Sequence, residues 1–381
     1  MIHNNASASA ERFDARRGTL DGGAAAEATS RSDRIAWIDH ARGLNILIVV
    51  VGHVLSGLQS YSVIGKGSWS RIWEAGYHNF RMPFFFVLSG LFAERLVRRD
   101  IGPFLRDRGA VLLYPYFVWS TLQILVQIAI SDGRVTPDYL LWQAVVPFWQ
   151  FWFLRALFLV SLAYFAMRKL GLGPLGCLVA CLAAHAAQDQ VRWDGRLLGL
   201  TPGFQALYYA PFYAAGAVVG RSISRFRVEG KASLTAITAA GFGVAAMATW
   251  SDGEPPLPIR LGVTLCGVGA ATALSALLSR SPGMDFLRGL GRHSLEILVT
   301  HMYGLAAARM LLTNVLHVRN GVMHAVLGVA FGVAFPLLLV WTFNRIGVKY
   351  AFRLPRPAKS EADVRLVLAH EPRLAIARAS S

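Results

Sequence analysis

The sequence predicts an all-α polytopic membrane protein with about ten transmembrane helices and both termini in the cytoplasm. Of its 381 residues, 54% are hydrophobic and only 16% are charged, and the mean hydropathy is +0.43. Soluble proteins carry roughly 25% charged residues. Here the charges are crowded between apolar runs of about 17 to 23 residues, long enough to cross a bilayer as helices. Strands of a membrane β-barrel would alternate apolar and polar residues, and these runs do not.

Ten apolar runs are predicted to be the spans. They cover approximately residues 44–62, 80–96, 109–130, 148–167, 171–188, 204–220, 233–250, 258–279, 293–312 and 322–346. Of the 38 Lys and Arg residues, 28 fall in the tails and connections of one side and 8 in those of the other. The positive-inside rule therefore predicts that both termini are cytoplasmic.

The expected domain organisation follows from these spans. Residues 1–33 are rich in Ala, Ser, Gly and Arg without an apolar core, which predicts a disordered cytoplasmic N-terminal tail. Residues 34–348 form the ten-helix membrane domain, and residues 349–381 a basic cytoplasmic C-terminal tail. With no soluble catalytic domain, any chemistry must be built among the helices.

Charge and motifs exclude several functions. The net charge of +16 does not indicate a nucleic-acid partner, because the basic residues flank apolar spans as topology signals do. The three cysteines, Cys177, Cys181 and Cys266, lie in apolar runs without metal-ligand spacing, so no metal is expected. The sequence contains neither a Walker or Rossmann phosphate loop nor a nucleophile elbow or zincin motif.

The first span carries the most informative pair of residues, Arg42 and His53. Eleven residues make almost three helical turns, so both side chains lie on one face, separated by roughly 16 Å of axial rise. Arg42 is then a fixed cation at a membrane surface and His53 an imidazole at depth. Ionisable groups inside a membrane are costly and mark functional sites. A histidine bonded to a neighbouring helix and an arginine reaching towards lipid headgroups are the structural alternatives.

Five segments together resemble the acyltransferase-3 family of integral membrane O-acyltransferases, over roughly residues 34 to 348. They are Arg42 with His53, Met82-Pro83-Phe84-Phe85-Phe86-Val87-Leu88-Ser89-Gly90, Leu112-Leu113-Tyr114-Pro115-Tyr116, Trp152-Phe153-Leu154, and His293-Ser294-Leu295 with His301. The Trp37-Ile38-Asp39 opening looks most like the fucose 4-O-acetylase branch. Arg81 stands where many members carry histidine.

The resemblance implies an enzyme of the bacterial inner membrane. It would transfer an acyl group, expected to be acetyl, from cytoplasmic acetyl-CoA to a hydroxyl of a surface glycan or lipid-linked sugar. Such a transfer needs a base for the hydroxyl proton and a stabiliser for the oxyanion. His53 is the expected general base, because histidine exchanges protons near neutral pH. The family places an arginine such as Arg42 at the donor site.

Further candidates are distributed along the membrane domain. Arg95, Arg98 and Arg99 follow span two and either capture the polyanionic head of CoA or serve as topology signals. Arg155, Trp152 and Ser89 are candidates for the acceptor site, with packing as the alternative for each. On span nine, Glu296 and His301 form either a second proton relay or a locally satisfied polar pair.

A transporter or flippase for a polar metabolite or glycan is the alternative function. Ten spans with Arg and His at depth would also serve transport, but transporters often show inverted repeats with broken helices. No convincing self-similarity relates spans one to five to spans six to ten. A membrane scaffold for glycan synthesis is a third, weaker hypothesis.

Overall fold

The computed structural model describes residues 37–60, 80–130, 133–191, 202–222, 230–247 and 255–354. Within these ranges the secondary structure is helical, without a β-strand. The all-α prediction is therefore confirmed. The predicted tail 1–33, and all but the first six residues of the predicted tail 349–381, lie outside the described residues.

We number the helices α1 Trp37–Ser60, α2 Phe80–Gly90, α3 Ala93–Val97, α4 Ile101–Arg108, α5 Tyr114–Ile130, α6 Tyr139–Trp142, α7 Trp152–Lys169, α8 Pro174–Val191, α9 Pro202–Ser222, α10 Lys231–Met247, α11 Leu257–Leu278, α12 Asp285–Arg292, α13 Ser294–Met310 and α14 Gly321–Ile346. π-Helical turns, Gly109–Leu113 and Leu311–Val315, join α4 to α5 and extend α13.

Six helical runs of the described chain are long and apolar enough to cross a membrane. They are Trp37–Ser60, Ile101–Ile130, Trp149–Lys169, Leu257–Leu278, Ser294–Val315 and Gly321–Ile346. The other four predicted spans also coincide with helices, namely α2, α8, α9 and α10. The structure thus shows a membrane protein with six candidate spanning helices.

The second predicted span differs from its expected continuous helix. α2 ends at Gly90, a turn follows at Leu91 and Phe92, and α3 then begins. At 1.5 Å per residue, the 11 residues of α2 cover about 16 Å, roughly half the hydrocarbon thickness. After the break, the ring of Phe92 lies against the guanidiniums of Arg42 in α1 and Arg95 in α3.

Pro115 lies inside a continuous helical run rather than at its beginning. Proline has no N–H to donate to the preceding turn and its ring crowds that turn. The π-helical turn Gly109–Leu113 immediately precedes this position and accommodates the changed hydrogen-bond pattern. The helix therefore continues from Ile101 to Ile130.

Glycines allow close backbone contact between helices. A Cβ atom on Gly43 would overlap the carbonyl oxygen of Leu287, and one on Gly291 would overlap that of Asp39, so α1 and α12 touch reciprocally. The same holds between α2 and α9, where Gly216 packs on Val87. Small residues at such contacts are typical of membrane helix pairs.

We expect Gly216→Ala to lower the melting temperature of the protein in lipid nanodiscs by about 5 °C, since overpacking costs about 1–3 kcal/mol. Gly269→Ala is the matched control, because a Cβ there meets no atom within 4 Å. That control should leave the melting temperature unchanged or slightly raised, as alanine favours helix. Equal losses in the two variants would contradict the packing argument.

Two segments outside the long helices fold back along α5. The connection after α5 returns so that Tyr116 donates its hydroxyl hydrogen to the Gln143 carbonyl, and Ser120 Oγ lies 2.6 Å from Gln143 Oε1. The chain after α14 turns at Gly347, which has φ +79°, and then also reaches α5. There Trp119 Nε1 donates to the Ala351 carbonyl at 2.9 Å.

Candidate active site

The imidazoles of His53 and His301 face each other across the contact between α1 and α13. Their ring centroids are 5.2 Å apart with the planes tilted by 42°. His301 is completely buried, whereas His53 is partly exposed. His53 is therefore directed towards another helix of the bundle.

Backbone hydrogen bonds fix the ring of His301. Its Nδ1 lies 2.9 Å from the carbonyl oxygens of both Ile297 and Leu298, one turn earlier in α13. Its Nε2 is buried and has no hydrogen-bond partner in the structure. Sequence reasoning paired His301 with Glu296, but the structure directs these two side chains to different partners.

Arg42 lies near the start of α1 in a cluster of charged groups. Its guanidinium carbon is 5.8 Å from the ring centroid of Phe92, and that of Arg95 is 5.9 Å from the same ring. Asp39 attracts Arg42 electrostatically and also lies 3.8 Å from Nε of Arg292. The sequence-predicted residues Arg42 and Arg95 thus converge on one aromatic ring.

A residue beyond the last span joins this cluster. Arg353 donates from Nη2 to Oε1 of Glu296 at 3.2 Å, and it also acts electrostatically on Arg42. Glu296 is buried, and its second carboxylate oxygen has no partner in the structure. The segment holding Arg353 is anchored by the stacking of Phe352 on Trp119, with centroids 5.1 Å apart.

The short helix α3 is fixed to α7 by a partly buried ion pair. Arg168 binds Glu94 through two nitrogens, Nε to Oε1 at 3.0 Å and Nη2 to Oε2 at 3.1 Å. Tyr164 donates to the same carboxylate at 2.8 Å. Such bidentate geometry fixes orientation as well as adding energy. α7 therefore fixes the turn of helix from which Arg95 projects.

The other two predicted donor-site arginines lie on the exposed side of this region. Arg98 and Arg99 follow α3 and are exposed. Arg99 forms an ion pair with Asp107 of α4. Arg95 is also exposed, but its guanidinium reaches the same Phe92 ring as that of Arg42.

Aromatic contacts lead from His301 to the start of α7. Arg81 interacts electrostatically with both His301 and Tyr209. Tyr209 stacks between Phe86, with centroids 4.8 Å apart, and Trp152, with centroids 5.3 Å apart. The predicted acceptor residue Trp152 is thus linked to the histidine pair through Arg81 and Tyr209.

Two further predicted acceptor residues have structural neighbours. Arg155 Nη1 donates to the Val145 carbonyl and its guanidinium contacts the Tyr116 hydroxyl, so it holds the folded-back connection against α5. Ser89 is partly exposed and precedes Gly90, which packs tightly on the Tyr213 carbonyl.

Several site residues were missed because their signal is weak in sequence alone. Asn45 is completely buried one turn after Arg42, and its Nδ2 donates to the Arg81 carbonyl at 2.7 Å. Gln150 lies beside Trp152, with both amide atoms buried and unpartnered in the structure. A buried amide in an apolar stretch was the available signal, because such groups normally require partners. Arg353 gave none, since it lies beyond the last span.

The comparison with protein families identifies the family of the chain. Residues 35–341, most of the chain, match the family model described as an acyltransferase domain. The chain belongs to the acyltransferase-3 family. Neither the curated proteins nor the solved structures include a match to this chain. The acyltransferase-3 protein described here is accordingly a membrane acyltransferase with O-acyl or acetyl transfer activity.

Proposed function

We propose that this acyltransferase-3 protein moves an acetyl group from cytoplasmic acetyl-CoA to a hydroxyl of a cell-surface or exported glycan. The enzyme resides in the bacterial inner membrane, and a lipid-linked sugar is an equivalent form of the acceptor. His53 acts as the general base. The resemblance of the opening Trp37-Ile38-Asp39 to the fucose 4-O-acetylase branch supports a sugar hydroxyl as acceptor.

The observation that carries this proposal is the position of His53. It lies on the same face of α1 as Arg42, roughly 16 Å further along the helix. It also faces His301 across the bundle, at a centroid separation of 5.2 Å. A base in this position has the arginine cluster on one side and the Arg81, Tyr209 and Trp152 contacts on another.

The arginine cluster suits the donor. CoA carries several phosphate charges, and guanidinium groups bind phosphate through paired, charge-assisted hydrogen bonds. Arg42, Arg95 and Arg353 gather near one another although guanidiniums repel, and an anion would relieve that repulsion. The exposed residues Arg98 and Arg99 would attract the same anion over a longer range.

The aromatic contacts suit the acceptor. Sugar rings present apolar faces that pack on aromatic side chains, and hydroxyls that require hydrogen-bonding partners. Trp152 supplies such a face beside the unpartnered amide of Gln150. Ser89 and Arg155 remain candidates of lower weight, because Arg155 is already engaged by the Val145 carbonyl.

The proposed step is a direct transfer. His53 accepts the proton of the acceptor hydroxyl as its oxygen attacks the thioester carbonyl. The new C–O bond forms, the C–S bond breaks, and the proton passes from His53 to the departing thiolate to give free CoA. Arg81, which acts electrostatically on His301, is the candidate to stabilise the oxyanion that develops in between.

The topology proposed for this reaction has ten spans and cytoplasmic termini. The six candidate spanning helices and the four shorter or less apolar ones, α2, α8, α9 and α10, make up that number. The division of 28 against 8 basic residues between the two sides supports cytoplasmic termini. This orientation puts Arg42 at the cytoplasmic surface, where CoA is available.

Inverted membrane vesicles containing the protein test the function directly. We expect label from acetyl-CoA, radiolabelled in the acetyl group, to enter endogenous glycan as an alkali-labile ester, with one equivalent of CoA released. Vesicles containing His53→Gln provide the background. Glycan that accumulates inside the vesicles without acetylation would overturn the proposal and favour the transporter.

A further inference from the structure

The unpartnered nitrogen of His301 is the strongest unexplained feature of the membrane interior. Among buried side chains, an imidazole nitrogen without a partner is expensive, because it has lost its hydrogen bonds to water. Native structures rarely leave such a group unless it has a function or an absent partner. The site chemistry described above does not use it.

The backbone determines which nitrogen of His301 carries the proton. Carbonyl oxygens only accept hydrogen bonds, so the two carbonyls at 2.9 Å from Nδ1 require Nδ1 to be the donor. In the neutral ring, Nε2 then has a lone pair and no hydrogen. His301 is therefore fixed as a hydrogen-bond acceptor at Nε2.

The separation of the His53 and His301 rings is compatible with a hydrogen bond from His53 to Nε2 of His301. An N–H···N bond of about 3 Å between two imidazole rings corresponds to centroids roughly 5 Å apart. The observed separation is 5.2 Å, with the planes tilted by 42°.

We propose that His301 is a positioning residue that accepts a hydrogen bond from one ring nitrogen of His53. This bond selects the tautomer of His53 whose other nitrogen has a free lone pair. It also turns that lone pair towards the acceptor hydroxyl. The inference rests on the proposed function, in which His53 is the base, and it adds a second imidazole that never touches the substrate. In other catalytic sites, too, the base is oriented by a further side chain.

Two substitutions separate this role from a purely structural one. The amide of His301→Gln lies near the position of Nε2, so this variant keeps an acceptor opposite His53. The amide of His301→Asn lies near Nδ1, so it keeps the bond to the backbone and loses that acceptor. We expect His301→Asn to lower kcat at least tenfold with the KM for acetyl-CoA unchanged, and His301→Gln to stay within about threefold of wild type.

Nitrogen-15 NMR of histidine-labelled protein in lipid bilayers gives a readout independent of activity. It distinguishes protonated from unprotonated ring nitrogens. We expect wild-type His301 to be protonated at Nδ1 only and His53 to be a single tautomer. In His301→Asn, His53 should become a tautomer mixture, and in His301→Gln it should not.

The outcomes are distinguishable from failure of the proposed function. If His53→Gln transfers acetyl groups at the wild-type rate, the assignment of the base is wrong, and this inference falls with it. If His53 is essential but His301→Asn and His301→Gln behave alike in kcat and in NMR, only the inference is overturned. Melting temperatures of the two variants identify any loss that comes from misfolding.

Discussion

Replacing His53 with glutamine should lower kcat for acetyl transfer by about 10²–10⁴-fold, the usual contribution of a positioned general base. Glutamine keeps hydrogen-bonding capacity and similar volume but cannot take a proton, so the protein should fold and bind its donor normally. The measurement is kcat and the KM for acetyl-CoA in purified, lipid-reconstituted protein. A large change in KM with kcat preserved would contradict a role in proton transfer.

His317→Gln is a suitable control for this experiment. His317 is an exposed histidine between α13 and α14, away from the histidine pair. The control loses the same kind of group without touching the α1–α13 contact. It should retain wild-type kcat and KM, and a parallel loss there would indicate a general effect of removing histidine.

Replacing Arg42 should produce the second large effect. We expect Arg42→Gln to lower kcat/KM for acetyl-CoA by about 10–100-fold, because hydrogen bonds to charged groups contribute about 1.5–3 kcal/mol. Arg42→Lys keeps the charge but loses the planar fork of donors. It should recover only part of the loss.

The control for Arg42→Gln removes one positive charge at a position outside the arginine cluster. Arg345 lies in the last turn of α14, where its guanidinium carbon is 5.4 Å from the Trp341 ring centroid. Arg345→Gln should leave kcat/KM for acetyl-CoA within about twofold of wild type. If both arginine variants weaken donor use equally, the effect is one of overall charge and the specific role of Arg42 is lost.

The helical character of this protein could be predicted because membrane helices satisfy their own backbone hydrogen bonds. Composition and run length therefore suffice to locate them. What the sequence did not reveal are the departures from simple spans. The break after Gly90 separates α2 from α3, and Gln143 returns to Tyr116. Both depend on contacts with residues distant in the chain, which hydropathy does not encode.

The candidate site was predictable to the extent that its residues lie on one helix. Arg42 and His53 share a face of α1 by helical period alone. Their neighbours come from other helices: His301 from α13, Arg81 from α2 and Tyr209 from α9. The sequence pointed to His301 but paired it with Glu296, although five residues turn a helix by about 140° and so separate the two side chains. Helix packing instead turned His301 towards α1.

The chain that follows α14 has a consequence for how the protein is made. Arg353 is the partner of Glu296, and it is synthesised only after α1 to α14. Until then the carboxylate of Glu296 lies in the bundle without its counter-charge. A polypeptide that ends at Ile346 would therefore contain α1 to α14 and still lack the cation that pairs with Glu296. Completion of the charged cluster therefore depends on the segment after α14 and not on the membrane helices alone.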